Sequence, residues 1–144
     1  MITSILVICM GNLCRSPVAE RLLCSFLPHI TVHSVGLIAS PGMPADSTMA
    51  ELARENGIAL ADHCSQKFTL EQGLEHDLIL VMEKKQARII SQQYPQLSGK
   101  CHLFTYWNGR EDIPDPYKKS QEYYRFVYQR LVAAANTWTQ ALQD

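Results

Sequence analysis

The chain has 144 residues, a net charge of -1 and a charged fraction of 19%, which suit one globular domain and no basic nucleic-acid-binding surface. No apolar stretch is long enough to span a membrane, and the short first apolar run is not typical of a signal peptide. The five cysteines are odd in number in a chain that is not a small disulfide scaffold. We therefore expect free thiols, a cytoplasmic location and no insertion into membranes.

Apolar runs and helical patterns alternate along the chain. The uninterrupted run Ile5-Leu6-Val7-Ile8 predicts a buried parallel strand, and Ser16-Pro17 predicts the start of a helix that ends at Pro28. The later predicted elements, in chain order, are a strand at 30–35, a loop at 40–44, a helix at 46–56, a strand at 78–82, a helix at 84–93, a strand at 101–104, a loop at 106–117 and a helix at 120–142.

This alternation predicts an α/β fold in a single domain over residues 1–144. The expected architecture is a doubly wound, four-stranded parallel sheet with helices on both faces. Ligands of such folds bind beyond the carboxyl ends of the strands. Cys9 follows the first strand and the loop of Asp115 follows the fourth, so both are expected at the same edge of the sheet.

The segment between the first strand and the first helix has a cysteine, five further residues and then an arginine. A loop that precedes a helix N-terminus collects unpaired N–H groups and the positive end of the helix dipole, which favours an anion. Its backbone N–H groups can surround one tetrahedral dianion. The predicted phosphate-binding residues are Met10, Gly11, Asn12, Leu13, Cys14 and Arg15.

Each residue type in this loop suits nucleophilic chemistry on phosphorus. Gly11 permits a positive φ or a close approach to the ligand, and Asn12 tolerates the left-handed region. The planar fork of Arg15 can bind two phosphoryl oxygens at once. Cys9 is predicted to be the nucleophile, as a thiolate beneath the phosphorus, with Ser16 donating a hydrogen bond to its sulfur.

These residues also carry a family resemblance. The segment VICMGNLCRSP at 7–17, followed by Ala19-Glu20, resembles the signature of the low-molecular-weight protein tyrosine phosphatases. A second motif, Asp115-Pro116-Tyr117, resembles the general-acid loop of the same family. The segment at 113–120 is similar to that of bacterial members that act on tyrosine kinases of capsule and exopolysaccharide synthesis.

The resemblance implies hydrolysis of protein phosphotyrosine through a phosphocysteine, without a metal or cofactor. Cys9 attacks phosphorus, Arg15 and the loop N–H groups hold the oxygens, and Asp115 acts as general acid and then as general base. Tyr117 and Leu37 are predicted to line the substrate cleft. The expected substrate is a phosphotyrosine protein, namely the cytoplasmic tail of a tyrosine autokinase, and the expected enzyme is a monomer.

Two supporting roles come from the resemblance alone. It implies that Cys14 is a redox partner that forms a reversible disulfide with Cys9. It also implies that His63 braces the phosphate loop through Asn12. The family commonly has an arginine three residues after this histidine, whereas this chain has Gln66, which puts the details of the bracing in doubt.

Three other functions remain open. A protein-arginine phosphatase on this scaffold has a threonine where this chain has Leu13, which disfavours it. A thiol-dependent arsenate reductase needs a closely spaced pair of resolving cysteines, and Cys64 and Cys101 are far apart in sequence. A non-catalytic phosphotyrosine-binding module is expected to have lost its nucleophile or its acid, and both Cys9 and Asp115 are present.

Overall fold

A computed structural model describes residues 1–143, so the last residue of the predicted 1–144 domain lies outside the described residues. The four strands are β1 (Ser4–Cys9), β2 (Thr31–Gly36), β3 (Leu78–Val81) and β4 (Cys101–Leu103). The helices are α1 (Arg15–Phe26), α2 (Ser47–Glu55), α3 (Leu70–Glu75), α4 (Lys84–Gln93) and α5 (Gln121–Leu142), and a 3₁₀ helix spans Pro95–Lys100. All strand pairs are parallel, in the order β2-β1-β3-β4.

Strand β1 explains why an uninterrupted apolar run is needed at the centre of the sheet. Ile5 and Val7 pack on one face with residues of α1, α2 and α5, whereas Leu6 and Ile8 pack on the other with residues of α4 and the 3₁₀ helix. All four side chains are completely buried. Both faces of a parallel sheet are covered in this way, which confirms the predicted doubly wound fold.

The strand order places a ligand site at the end of β1. The chain leaves β1 through α1 to reach β2 on one side, and later returns to β3 on the other side. Connections that depart in opposite directions open a crevice at the carboxyl ends of the two central strands. Cys9, the last residue of β1, therefore lies at this crevice.

Helices α2, α4 and α5 begin and end within one residue of their predicted bounds, but three features differ from expectation. Helix α3 was not predicted, because its six residues are too few to show a helical period; a capping box at Thr69 begins it. The 3₁₀ helix was likewise missed. Helix α1 begins at Arg15, so Pro17 occupies its third position, where the missing N–H still costs nothing.

No helix within residues 1–143 combines the length and the apolar character that crossing a bilayer requires. The longest, α5, packs its buried face against α1 and α2 instead. Its first residue lies four positions after the end of the Asp-Pro-Tyr motif, so the position of that motif depends on how α5 packs.

Candidate active site

The phosphate loop runs from Cys9, the last residue of β1, to Arg15, the first residue of α1. The Cys9 side chain is almost completely buried. The backbone N–H of Asn12 donates to Cys9 Sγ at 3.3 Å, and Ser16 Oγ lies 3.0 Å from the same sulfur. The loop thus curls around the sulfur and directs two hydrogen-bond donors at it.

The Asn12 side chain and carbonyl hold the loop in place. Its Nδ2 donates to Ser16 Oγ at 2.9 Å and to Ser34 Oγ at 3.0 Å, while its Oδ1 accepts from the backbone N–H of Gln66 at 2.9 Å. His63 Nε2 lies 2.6 Å from the Asn12 carbonyl oxygen, so that ring nitrogen carries the proton. Because Gln66 contributes only its backbone, the departure of its side chain from the family pattern leaves the bracing intact.

A hydrogen-bond network of two hydroxyl groups, joined by the Asn12 amide, extends from the sulfur into the protein. Ser16 Oγ accepts from Asn12, so its own proton is left to donate to Cys9 Sγ. Ser34 Oγ also accepts from Asn12 and donates to Glu20 Oε1 at 2.5 Å. The sulfur is therefore connected to a carboxylate through hydrogen bonds of fixed direction.

Two glycines bear on the conformation of the phosphate loop, and Gly11 does not adopt the positive φ that was one of its two expected roles. Gly11 does not have a positive φ, and a Cβ added there would meet Leu13 Cγ only at an ordinary 3.8 Å. The left-handed residue is Asn12, with φ of 57°. At Gly36 an added Cβ would lie 2.6 Å from the Met10 oxygen and 2.8 Å from the Asn12 nitrogen. Gly36 at the end of β2 thus lets the phosphate loop pack against the sheet.

Arg15 is held by two partners at its outer nitrogen. Nη1 donates to Glu83 Oε1 and to the Ile113 carbonyl oxygen, both at 2.9 Å, and the residue is 2% exposed. Burial alone would lower the pKa of the guanidinium, but the negative charges of Cys9, Glu83 and Asp115 outweigh it and raise the pKa. Arg15 therefore stays charged, in one orientation, beside the sulfur.

One cavity of about 220 Å³ collects most of the predicted site residues. Its lining consists of Cys9, Gly11, Leu13, Cys14, Arg15, Asp46, Asp115, Tyr117 and Tyr124. Asp115 Oδ1 accepts from the Tyr117 backbone N–H at 3.1 Å, and the Tyr117 ring is 62% exposed. The cavity brings Cys9 and Asp115 together at one edge of the sheet, as the order of elements predicted.

Leu37 does not line this cavity. Its side chain packs against the core on the α4 side of the sheet, and its backbone N–H donates to the Cys9 carbonyl at 3.0 Å. The prediction of Leu37 as a cleft residue is therefore unsupported by its placement. Leu37 comes directly after the last residue of β2. Which of the apolar side chains there points into the cavity is determined by the fold and not by the local sequence.

Cys14 shares the cavity with Cys9 but lies in a different environment. Burial, followed by the negative charges of Asp46, Cys9 and Asp115, raises the pKa of the Cys14 thiol well above its usual value. Cys14 consequently remains a neutral thiol while donors surround the sulfur of Cys9.

Sequence reasoning missed three residues that shape the site. Glu83 lies two residues beyond the end of β3, and an acidic residue at that edge of the sheet was a usable signal. Asp46 stood at the predicted start of a helix, and its Oδ2 indeed caps α2 by accepting from the Met49 N–H at 2.9 Å. Tyr124 donates its hydroxyl to Asp46 Oδ1 at 3.3 Å, and no local pattern pointed to this contact.

Comparisons with known proteins agree with this geometry. Residues 4–144 match the family described as low molecular weight phosphotyrosine protein phosphatase. A probable low molecular weight protein-tyrosine-phosphatase, AmsI of Erwinia amylovora, is 46% identical over 142 residues and covers 99% of each chain. The crystal structure of the tyrosine phosphatase Wzb from Escherichia coli K30, in complex with sulphate, has a TM-score of 0.96 and 42% identity and covers 99% of this chain and 100% of that one.

A more distant solved structure is that of the arginine phosphatase YwlE from Geobacillus stearothermophilus. It has a TM-score of 0.91 and 30% identity, and covers 97% of this chain and 92% of that one. The tyrosine phosphatases are the more similar of these relatives, and the family match extends over nearly the whole chain. The chain therefore belongs to the low molecular weight phosphotyrosine protein phosphatase family.

Proposed function

We propose that this protein hydrolyses phosphotyrosine in proteins through a phosphocysteine intermediate, with Cys9 as nucleophile and Asp115 as general acid and base. The observation that carries the proposal is the single cavity in which Cys9, Arg15 and Asp115 meet, although Asp115 is far away in sequence. The family membership supports the same reaction.

In the first step, the Cys9 thiolate attacks phosphorus in line with the leaving oxygen. The sulfur–phosphorus bond forms as the bond to the tyrosine oxygen breaks, and Asp115 gives its proton to that oxygen. Arg15 and the loop N–H groups hold the equatorial oxygens, where charge spreads in the transition state. The hydrogen bonds of Arg15 to Glu83 and Ile113 support this role, because they leave the other guanidinium nitrogens free to face the phosphoryl group.

In the second step, water replaces the sulfur on phosphorus. Asp115, now deprotonated, accepts a proton from the water while the water oxygen bonds to phosphorus. The sulfur–phosphorus bond breaks, and phosphate is released. Cys9 departs as a thiolate, which the Ser16 hydroxyl and the Asn12 N–H stabilise at 3.0 and 3.3 Å. His63 and Ser34 have supporting roles, since they fix Asn12 in its left-handed conformation.

The shape of the cavity favours an aromatic phosphate ester. Leu13 and Tyr117 both line it, and the exposed Tyr117 ring offers a flat apolar surface to a substrate ring.

The polypeptide substrate that we propose is the cytoplasmic, tyrosine-rich tail of a bacterial tyrosine autokinase of polysaccharide synthesis. This extends the resemblance of residues 113–120 to bacterial family members. We further propose that the enzyme acts in the cytoplasm as a monomer, and that Cys14 closes a reversible disulfide with Cys9 after peroxide oxidises Cys9 to a sulfenic acid. Attack by the Cys14 sulfur on that of Cys9 would then release water.

A protein-arginine phosphatase is the strongest competing function, because a structure with that activity shares the fold at 30% identity. The aliphatic Leu13 in the cavity wall argues against it. An arsenate reductase is less well supported, since it needs a second resolving thiol; Cys64 is exposed and does not line the cavity.

The test is phosphate release, without added metal, from matched phosphotyrosine and phosphoarginine peptides by the wild type and by Cys9→Ser. Turnover of phosphotyrosine that the substitution abolishes would support the proposal. A preference for phosphoarginine would show that the Leu13 argument is wrong. If neither peptide releases phosphate and the protein reduces arsenate with a thiol, the arsenate reductase would replace the proposal.

A further inference from the structure

The acid loop, residues 114–119, is hydrogen-bonded to the rest of the described chain at the residues that flank it, and Pro116 within it is buried. Just before it, the Ile113 N–H donates to the Met82 oxygen at 2.9 Å, and the Ile113 oxygen accepts from Arg15. Just after it, Ser120 caps α5. Within residues 1–143, the hydrogen bonds of the loop itself are both internal, at 3.1 Å between Tyr117 and Asp115 and at 2.8 Å between Lys119 and Pro116. The position of Asp115 therefore depends on where the two ends are held.

Tyr124 lies one turn into α5, directly behind the acid loop, and is 4% exposed. Its backbone N–H donates to the Ser120 oxygen at 3.1 Å, so the side chain is rigidly related to the loop's end. Its hydroxyl donates to Asp46 Oδ1 at 3.3 Å. Burial and then the Asp46 charge raise the pKa of the Tyr124 hydroxyl, which keeps it a donor throughout the working pH range.

Asp46 connects this helix to the phosphate loop. Its backbone N–H donates to the Leu13 oxygen at 2.7 Å, and its Oδ2 caps α2 through the Met49 N–H at 2.9 Å. Its remaining oxygen, Oδ1, is the one that receives the Tyr124 hydroxyl. Asp46 is thus fixed to the phosphate loop by its backbone and to α5 by its side chain.

We propose that Tyr124, acting through Asp46, is a positioning residue that holds the end of the acid loop at the distance from the phosphate loop at which Asp115 reaches the leaving oxygen. This inference rests on the proposed phosphatase function. The 3.3 Å contact is long for a hydroxyl–carboxylate hydrogen bond. Such contacts in ligand-free sites tighten when substrate binds, so the contact acts most strongly in the substrate complex.

The test compares Tyr124→Phe with wild type across aryl phosphates whose phenols differ in acidity. A weakly acidic phenol such as that of tyrosine needs the proton of Asp115, whereas a strongly acidic nitrophenol leaves without it. We expect kcat/KM to fall about tenfold for phosphotyrosine peptide and about twofold for p-nitrophenyl phosphate. The dependence of rate on leaving-group acidity therefore becomes steeper.

Tyr128→Phe is the matched control. Tyr128 is one turn further along α5, is buried like Tyr124, and lines a separate groove between α2 and α5. Its substitution removes a buried hydroxyl from the same helix without touching the cavity. We expect its leaving-group dependence to run parallel to that of wild type.

Asp46→Ser supplies a second test that does not depend on the tyrosine substitution. Serine caps a helix as well as aspartate does, but its single side-chain oxygen, when it accepts from the Met49 N–H, leaves no polar atom at the position of Oδ1 to receive the Tyr124 hydroxyl. We expect the same steeper dependence in this variant.

Equal loss with every leaving group, or no loss in either variant, would overturn the inference while leaving the proposed function intact. Failure of wild type to release phosphate from any aryl ester would instead overturn the proposed function, and this inference with it.

Discussion

The phosphate loop and the acid loop meet in one cavity, but the protein holds them in different ways. Asn12 fixes the phosphate loop through its side-chain amide and its carbonyl oxygen, with two donated and two accepted hydrogen bonds to α1, to β2 and to the connection between α2 and α3. Residues 114–119 have only two hydrogen bonds, both internal, within the part of the chain that the structure describes. Hydrogen bonds from several parts of the fold thus hold the nucleophile and the phosphate site, whereas the flanking residues of the acid loop and its buried Pro116 hold the general acid.

Each loop contains one non-glycine residue with a left-handed backbone, and different contacts offset the strain of that conformation in the two loops. Asn12 has φ of 57° and Lys118 has φ of 63°. Such a conformation costs a non-glycine residue roughly 1–2 kcal/mol. At Asn12 the side-chain hydrogen bonds offset this cost. At Lys118 the ammonium lies 5.5 Å from the centre of the exposed Tyr117 ring, a contact worth about 0.5–1 kcal/mol.

The largest effect is expected where the two loops touch. Arg15→Lys retains the charge but loses the planar fork, and it cannot hold Glu83, Ile113 and a phosphoryl group together. We expect kcat/KM for phosphotyrosine peptide to fall by roughly a thousandfold. Steady-state phosphate release measures this, and a loss of less than tenfold would show that the fork is dispensable.

Two substitutions of Asn12 separate the contribution of its side-chain hydrogen bonds to stability from that of its left-handed backbone conformation. Asn12→Gly keeps the left-handed conformation and loses the side-chain hydrogen bonds, whereas Asn12→Ala loses both. We expect the free energy of unfolding to fall by about 2 kcal/mol in the first and about 3 kcal/mol in the second. Urea denaturation measures both, and equal stability in the two variants would contradict the backbone argument.

Because the Cys14 thiol in the phosphate loop is buried, we expect the free energy of unfolding to depend on pH. Its pKa is raised in the folded state, so above about pH 9 the unfolded chain loses this proton while the folded chain keeps it. The unfolded state then binds fewer protons, and stability falls as pH rises, by at most about 1.4 kcal/mol per pH unit from this group. Denaturation from pH 7 to 10.5 should show a shallower fall in Cys14→Ser.

Cys64→Ser is the control for this measurement, because Cys64 is exposed. Its stability should follow that of wild type throughout the pH range. A Cys14→Ser profile parallel to wild type would mean that the thiol is not kept neutral by the fold.

The smallest effect concerns the acid loop. Lys118→Gly relieves the left-handed strain, and we expect a gain of about 0.5 kcal/mol in the free energy of unfolding after the flexibility of glycine is subtracted. Lys119→Gly, at a position without positive φ, should lose about as much. Thermal denaturation of the pair checks this, and a loss of stability in both would show that Lys118 is not strained.

The two loops also differ in how much of them was predictable. The Cys9–Arg15 segment could be predicted as a phosphate-binding loop because its residues lie within one short stretch of chain, and local sequence patterns describe local structure well. The contacts of Asp46 with Tyr124 and of Arg15 with Glu83 were missed because they join residues far apart in sequence. The sequence named both Gly11 and Asn12 as able to adopt the left-handed conformation, and only the structure shows that Asn12 adopts it.

By itself, the amino-acid sequence determined the alternation of strands and helices, the parallel sheet, and the cysteine–arginine loop at the end of the first strand. These follow from short-range spacing and from the burial of apolar runs. Only the tertiary structure decided which carboxylates face the cavity, which glycine admits the loop, and why Leu37 turns away from it. Those features depend on the packing of segments that are distant along the chain, and no local pattern encodes the distance between them.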